Sequence, residues 1–344
     1  MDYYKMIASE NTDSMYDKWS EYRNELTDYI IEGIEHLHIR RKLADTGKRR
    51  IYGEYNIETI VAEKVSRPTL AIWGAGGCND IDIVRLAKYF KLILIDYNVD
   101  MIKSARDRFG LTEDECLCVD LHFWDISDED YLMYEALLRD RAKVEEISDF
   151  LNELSDKIHM PDYESLPKFD YSVVVGLASQ LNSRFAAILH MMMYEAQSEN
   201  DDTSATIYSR DELSMLQKAV LQLNRVAVNC LLDAVMTMTK HGFVTGHELY
   251  TVSADEETDV RNQIGSMNET AEISMIEGNC DFVMPEHRST ISGNDVFEEN
   301  VRNLVNNEKE LIVVNNQAML WPFADGKSYL MLMNILEKTI NKTL

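Results

Sequence analysis

Residues 70–97, LAIWGAGGCNDIDIVRLAKYFKLILIDY, decide the fold of this chain. An apolar run ends at residues 74–77, Gly-Ala-Gly-Gly, whose small side chains allow a sharp turn and the close approach of a ligand. The spacing of apolar residues then predicts a helix that starts near Asn79 and Asp80, followed by a second strand that stops at Asp96. Asp96 follows the glycines by about 20 residues, the separation at which a carboxylate accepts hydrogen bonds from a ribose. The pattern predicts a site for a nucleotide-like cofactor.

The residues beside the turn separate two classes of cofactor. A dinucleotide site keeps its third glycine so that a pyrophosphate can sit on the helix N-terminus, but here Asn79 stands there and Asp80 and Asp82 follow. These carboxylates repel a pyrophosphate. S-adenosylmethionine carries no phosphate, and its sulfonium and amino groups are cationic, so the acidic turn favours a methyl donor over a nicotinamide dinucleotide. A structural turn without a ligand is a third interpretation, because glycine turns between strands and helices are common.

The later strands follow in an order that resembles the class I S-adenosylmethionine-dependent methyltransferases. The matching stretches are CLCVDL to Leu121, FDYSVVVGL from Phe169, GFVTGHELYTV from Gly242, and the pair LIVVNN and SYLMLMNI joined by a hairpin turn at Asp325 and Gly326. The resemblance covers roughly residues 66 to 340. It implies an α/β fold with a Rossmann-like seven-stranded sheet and an antiparallel final strand.

The same resemblance implies where the donor would bind. Its site would consist of residues at the ends of neighbouring strands, namely Gly74, Ala75, Gly76, Asp96, Tyr97, Asp120, Leu121, Gly176 and Leu177. The glycine turn would hold the methionine end, Asp96 the ribose, and Tyr97 the adenine. Gly176 and Leu177 would open towards the methyl group. The implied activity is methyl transfer from S-adenosylmethionine to a small-molecule or peptide acceptor.

Methyl transfer is an in-line displacement that needs alignment and, for a protonated acceptor, removal of a proton. His190 and His247 are the imidazoles that follow the fourth strand or lie within the fifth, so they are candidate bases, although a structural role remains open for each. Two positions depart from the family pattern: Ile72 replaces an acidic residue, and Cys78 replaces the third glycine. These departures keep open the alternative of a catalytically silent binding protein of the same fold. An NAD-dependent oxidoreductase is a separate alternative. The segment 78–82 is similar to a bacterial methyltransferase-like subgroup.

The sequence predicts two parts, a helical cap over residues 1–65 and a methyltransferase-like domain over residues 66–344. Three segments are additions to the simple sheet, and the cap is the first of them. The cap has an apolar stripe that includes Tyr16 and Trp19. The stripe either packs on the core or closes over a substrate, in which case Tyr16 and Trp19 are substrate-side residues. A second addition at about 126–168 predicts a charged outer helix that is exposed to solvent.

The third addition predicts a long helix from Ser209 to about Lys240, with a capping box formed by Ser209 and Glu212. Its second half is apolar on nearly all sides. This pattern predicts burial, either under the sheet or at the interface of a homodimer.

The amino-acid composition limits the classes of molecule that this protein is expected to bind. The 344 residues include 60 acidic against 34 basic side chains, a formal net charge of −26. Such a charge repels phosphate backbones and argues against nucleic acid, while it favours a cationic or neutral acceptor. The five cysteines are scattered and odd in number, which predicts reduced thiols without a metal site. No secretory signal opens the chain and no apolar run reaches membrane-spanning length, so we expect a cytoplasmic protein away from membranes.

Overall fold

The computed structural model describes residues 16–45, 67–120, 123–160, 168–181, 183–198, 208–276, 294–306, 310–324 and 326–339. The strands are β1 (Thr69–Trp73), β2 (Lys91–Asp96), β3 (Cys116–Asp120), β4 (Phe169–Val175), β5 (Thr239–Ser253), β6 (Leu311–Ala324) and β7 (Lys327–Lys338). The helices are α1 (Ser20–Asp45), α2 (Ile83–Tyr89), α3 (Val99–Arg108), α4 (Asp128–Arg139), α5 (Val144–Ser155), α6 (Ser183–Ser198), α7 (Arg210–Met238), α8 (Glu257–Ile276) and α9 (Asn294–Asn306).

The strands form one seven-stranded sheet in the order β3-β2-β1-β4-β5-β7-β6. β1 pairs in parallel with β2 and β4, and β5 continues the parallel set beside β4. β7 is inserted between β5 and β6 and runs antiparallel to both. The predicted seven-stranded sheet with an antiparallel final strand is therefore confirmed. Asp325, half of the predicted hairpin signal, lies outside the described residues, whereas Gly326 takes a positive φ of 70°.

Side chains alternate between two apolar layers, as expected for a sheet covered on both faces. Leu70 and Ile72 of β1 point into the layer formed with α1, α2 and α3, and Ala71 and Trp73 point into the layer formed with α4 to α7 and α9. β1 and β2 are consequently buried along nearly their whole length. All four cysteines in the described part are free, and Cys280 lies outside it.

α1 belongs to the core. Its stripe is buried through Tyr22, Leu26, Ile30, Ile34 and Leu37. Residues 1–15 and 46–66 of the predicted cap lie outside the described residues. The buried stripe agrees with the packing interpretation of this helix.

The addition between β3 and β4 differs from the predicted outer helix. It contains two helices, α4 and α5, separated by a turn at residues 140–143. Tyr134, Leu138, Ile147 and Leu151 are buried in the core. Both helices keep an exposed outer face, as predicted, but each also buries an apolar face in the core that the prediction did not include.

α7 begins with the predicted capping box, since the Ser209 side chain accepts from the Glu212 backbone and the Glu212 side chain accepts from the Ser209 backbone. The helix ends at Met238 and β5 follows at once, three residues before Gly242, where we expected the strand. Contrary to the expectation that no apolar run reaches membrane-spanning length, α7 could cross a membrane by length and composition, but 56% of its most apolar stretch is buried inside this fold. Such burial is typical of a core helix.

Candidate functional site

The carboxyl ends of β1 to β4 meet at one edge of the sheet, and Asp96 is the most constrained acid there. It is 5% exposed. Its Oδ2 accepts from the Gly76 N–H and its Oδ1 from the Asn98 N–H, each over 2.9 Å. Burial raises the pKa of Asp96, and these two N–H groups partly offset that effect. A carboxylate accepts about four hydrogen bonds, so capacity remains for the hydroxyls of a ribose.

The glycine turn has left-handed backbone conformations at three positions: φ is 68° at Gly74, 51° at Gly76 and 52° at Cys78. A Cβ at position 74 would lie 2.7 Å from Leu177 Cδ1, so any other residue here would force the Leu177 side chain to shift. Leu177 is buried and packs on the turn, which ties the end of β4 to the end of β1. Cys78 adopts the left-handed conformation that a glycine at this position would favour.

The N–H groups of this turn are engaged within the protein. Gly74 and Ala75 donate to the Ile95 carbonyl over 2.8 and 3.2 Å, Gly76 donates to Asp96, and Cys78 donates to the Ala75 carbonyl over 2.9 Å. A bound pyrophosphate needs such donors for itself. The turn is thus poorly suited to a phosphate ligand.

α2 starts at Ile83, later than the start predicted near Asn79 and Asp80. Asp82 is its N-cap, and its Oδ1 accepts from the Arg85 N–H over 3.0 Å. The delay has a physical cause, because residues before the helix are held by other elements. Arg23 of α1 donates to the Asn79 carbonyl over 2.9 Å, and the Asp82 N–H donates to Thr27 Oγ1 over 3.0 Å.

Two further predicted cofactor residues lie beside Asp96. Asp120 is exposed at the end of β3 and stands opposite Asp96 in the strand register. Tyr97 is 69% exposed, which leaves a ring surface open next to the carboxylate. Leu121 lies outside the described residues. The structure therefore brings Gly76, Asp96, Tyr97 and Asp120 to one edge.

The end of β4 faces a second group of side chains. From the position a Cβ would have on Gly176, Trp321 lies 3.7 Å away, and Gln180 and Glu248 each lie 3.8 Å away. Glu248 is 4% exposed. Its Oε1 accepts from Ser179 Oγ over 3.0 Å.

Neither Glu248 nor Trp321 was identified as a functional residue from the sequence. Glu248 is the only carboxylate in the apolar stretch 242–252. A charged residue within a strand predicted to be buried was the signal that could have found it. Trp321 carried no comparable signal, since it lies in an ordinary apolar strand.

The candidate histidines lie elsewhere. His247 precedes Glu248 and points to the opposite face of the sheet, where its Nε2 is 3.8 Å from Glu298 Oε2. Burial lowers the pKa of His247 to about 4. His190 is exposed on α6. Among the described contacts of Gly176, the carboxylate comes from Glu248, and neither histidine reaches it.

The two substrate-side candidates flank the turn and the β6 edge. The Tyr16 ring covers the Arg23 guanidinium, 3.7 Å from ring centroid to Cζ. Trp19 Nε1 donates to the Pro322 carbonyl over 2.7 Å, and its ring meets Trp321 edge-on at 5.5 Å. Trp19 is therefore next to the residues that face Gly176, whereas Tyr16 packs on the side of Arg23.

The strand order, the glycine turn after β1 and the acid that ends β2 define the fold of class I S-adenosylmethionine-dependent methyltransferases. Comparison of the sequence with protein-family profiles gives no match, and comparison with curated protein sequences gives none either. The assignment of the fold therefore rests on topology.

Solved structures similar to this chain include an S-adenosylmethionine-dependent methyltransferase from Methanosarcina mazei. Its sequence identity is 10% and its TM-score is 0.34, and the alignment covers 82% of this chain and 98% of the methyltransferase. A glycopeptide N-methyltransferase, MtfA, in complex with S-adenosylmethionine has 9% identity and a TM-score of 0.32 over 82% and 91% of the two chains. A TehB-like methyltransferase from Corynebacterium glutamicum has 13% identity and a TM-score of 0.29 over 90% and 99%.

Proposed function

We propose that this chain binds S-adenosylmethionine at the ends of β1 to β4 and transfers its methyl group to a small-molecule or peptide acceptor. The observation that carries the proposal is the buried Asp96 carboxylate, which holds the Gly76 N–H and still has acceptor capacity for a ribose. Bound S-adenosylmethionine would supply an electrophilic methyl carbon. Asp96 would orient the ribose, and the exposed ring of Tyr97 would offer a surface for the adenine.

A phosphate-free cofactor fits the turn better than a dinucleotide does. The four N–H groups of residues 74–76 and Cys78 already have partners in the protein. Asp82 occupies the N-terminus of α2, a helix of seven residues. Carboxylates and engaged donors favour a ligand with cationic groups, which S-adenosylmethionine has at its sulfonium and amino groups.

The acidic surface supports an acceptor other than nucleic acid, since 60 acidic residues against 34 basic ones repel a phosphate backbone. Ile72 is 5% exposed and packs within β1, so its position supplies no carboxylate to the donor's amino group. This departure is the observation that keeps a silent binding protein as the second candidate. Turnover separates the two, because both bind the donor and only one consumes it.

The test is a calorimetric titration of the purified chain with S-adenosylmethionine, S-adenosylhomocysteine and NADH. We expect micromolar affinity for the first two and no binding of NADH. Binding of NADH, or no binding of any of the three, would contradict the proposed cofactor. Release of S-adenosylhomocysteine in an acceptor screen would then exclude the silent alternative.

A further inference from the structure

We infer that the acceptor is a protonated amine, bound between the aromatic pair Tyr22 and Trp321 and the carboxylate of Glu248. This inference rests on the proposed methyl transfer and names the acceptor class of the same site. It also gives Glu248 a role as the residue that accepts the amine's proton.

The three side chains converge on the end of β4. The rings of Tyr22 and Trp321 are stacked, with centroids 5.7 Å apart and an interplanar angle of 19°. Trp321 and Glu248 lie 3.7 and 3.8 Å from the position that a Cβ on Gly176 would occupy. An aromatic surface and a carboxylate thus border the point towards which the resemblance directs the methyl group. A cation is stabilised by both, through the ring quadrupole and through charge.

Two buried polar atoms of this cluster have no partner among the described residues: the Tyr22 hydroxyl and Trp321 Nε1. Tyr22 is 1% exposed and Trp321 is 4% exposed. Buried polar groups are nearly always hydrogen-bonded, because an unsatisfied one costs about 1–3 kcal/mol in proteins. A bound ammonium group would satisfy the Tyr22 hydroxyl, which can accept from its N–H, whereas the Trp321 Nε1–H needs an acceptor elsewhere on the bound molecule.

Negative charge surrounds the same phenol from three elements. Burial raises the pKa of Tyr22 well above its ordinary value, and Asp80, Glu248 and Glu25 raise it further. Arg23 offsets part of the charge on Asp80. The described residues contain no cluster of three or more His, Cys, Asp or Glu side chains that could hold a metal ion. The negative charge around this phenol favours a cationic ligand.

The reaction follows from this placement. The Glu248 carboxylate takes one proton from the ammonium group, which becomes a neutral amine with a free lone pair. The nitrogen forms a bond to the methyl carbon while the carbon–sulfur bond breaks, and that electron pair stays on sulfur. The product is the protonated, N-methylated form of the acceptor amine, and Glu248 later gives its proton to water. Ser179 and Asn294 Nδ2 donate to the two carboxylate oxygens over 3.0 and 2.7 Å and so keep Glu248 in place.

The experiment compares phenethylamine with phenethyl alcohol, which has a similar skeleton without the charge. Binding to the chain saturated with S-adenosylhomocysteine is measured by calorimetry at pH 7. We expect the amine to bind at least about tenfold more tightly than the alcohol. Glu248→Gln should abolish that preference, whereas Glu299→Gln, an exposed change on α9, should retain it. Tyr22→Phe keeps the ring and should weaken amine binding about threefold.

Three results would overturn the inference: equal affinity for the two probes, an unchanged preference in Glu248→Gln and Tyr22→Phe, or no binding of the amine. The inference would also be contradicted if Glu248→Gln weakened the binding of S-adenosylmethionine but not that of S-adenosylhomocysteine. The Glu248 carboxylate would then contact the sulfonium of the donor and not the amine. Failure of the proposed function looks different, since wild type would bind neither donor nor product. Circular dichroism of each variant shows whether it is folded.

Discussion

Asp96 and Gly76 join the ends of two neighbouring strands, because the Gly76 N–H donates to Asp96 Oδ2 over 2.9 Å. The bond fixes the glycine turn of β1 to the last residue of β2. It also fixes the direction of the carboxylate, whose other oxygen accepts from Asn98. One buried side chain thus shapes the turn and presents acceptor positions at the edge where a ribose would lie.

Asp96→Asn should weaken binding of S-adenosylhomocysteine about ten- to a hundredfold. The amide removes a charge-assisted contact to the ribose and places a donor where one of the two backbone N–H groups now donates. Calorimetry measures the affinity. Asp100→Asn, at an exposed position in the first turn of α3, is the matched control and should bind as wild type does. Equal affinity in both variants would remove Asp96 from the site.

Gly74→Ala should lower the free energy of unfolding by about 2 kcal/mol or more, from the left-handed backbone and the overlap with Leu177. Gly110→Ala is a close control, because its φ of 69° is nearly the same and nothing lies within 4 Å of its Cβ position. It should lose only the backbone contribution of about 1 kcal/mol. Urea denaturation gives both values. Equal losses would show that the contact between β1 and β4 adds nothing.

Cys78→Gly should change the free energy of unfolding by no more than about 1 kcal/mol, because relief of the left-handed conformation offsets the lost burial of the thiol. Cys78→Val should cost about 2 kcal/mol or more, since a β-branched residue is disfavoured at positive φ. Denaturation of the two variants measures the difference. A stable valine variant would mean that the turn does not require the conformation seen at Cys78.

His247 should make the fold sensitive to acid. Burial holds its pKa at about 4, below the ordinary value of 6.5, so the unfolded chain binds a proton between these values that the folded chain does not. The contribution of His247 to the free energy of unfolding is fully present above pH 6.5. It is lost as the pH falls through 4, and the loss amounts to about 3 kcal/mol. Denaturation at pH 7 and pH 4.5 should show a smaller loss in His247→Gln than in wild type. The control His190→Gln, at an exposed position, should lose as much stability as wild type between the two pH values. If His247→Gln also loses as much as wild type, His247 is not the source of the acid sensitivity.

The sheet was largely predictable because its strands are bounded by strong local signals. The apolar run before Gly74 and the stop at Asp96 set β1 and β2, and the Ser209 capping box set the start of α7. These features depend on residues close in sequence. Hydrophobic period and turn chemistry are enough to find them.

The start of α2 and the second half of the site were not predictable, because they depend on distant residues. Arg23 and Thr27 of α1 hold residues 79–82 out of the helix. Glu248 faces Gly176 only through the pairing of β5 with β4. The helix α1 joins the site through Tyr22, whose apolar spacing indicated a core residue. Long-range packing decides such positions, and local patterns do not report it.

The most direct test is a crystal structure of the chain with S-adenosylhomocysteine. The ribose hydroxyls should lie about 3 Å from the Asp96 carboxylate, with the sulfur towards Gly176 and Trp321. Such a complex would establish both the cofactor and the direction of methyl transfer. A ligand bound away from the ends of β1 and β2, or bound there with its sulfur turned from Gly176, would contradict the account.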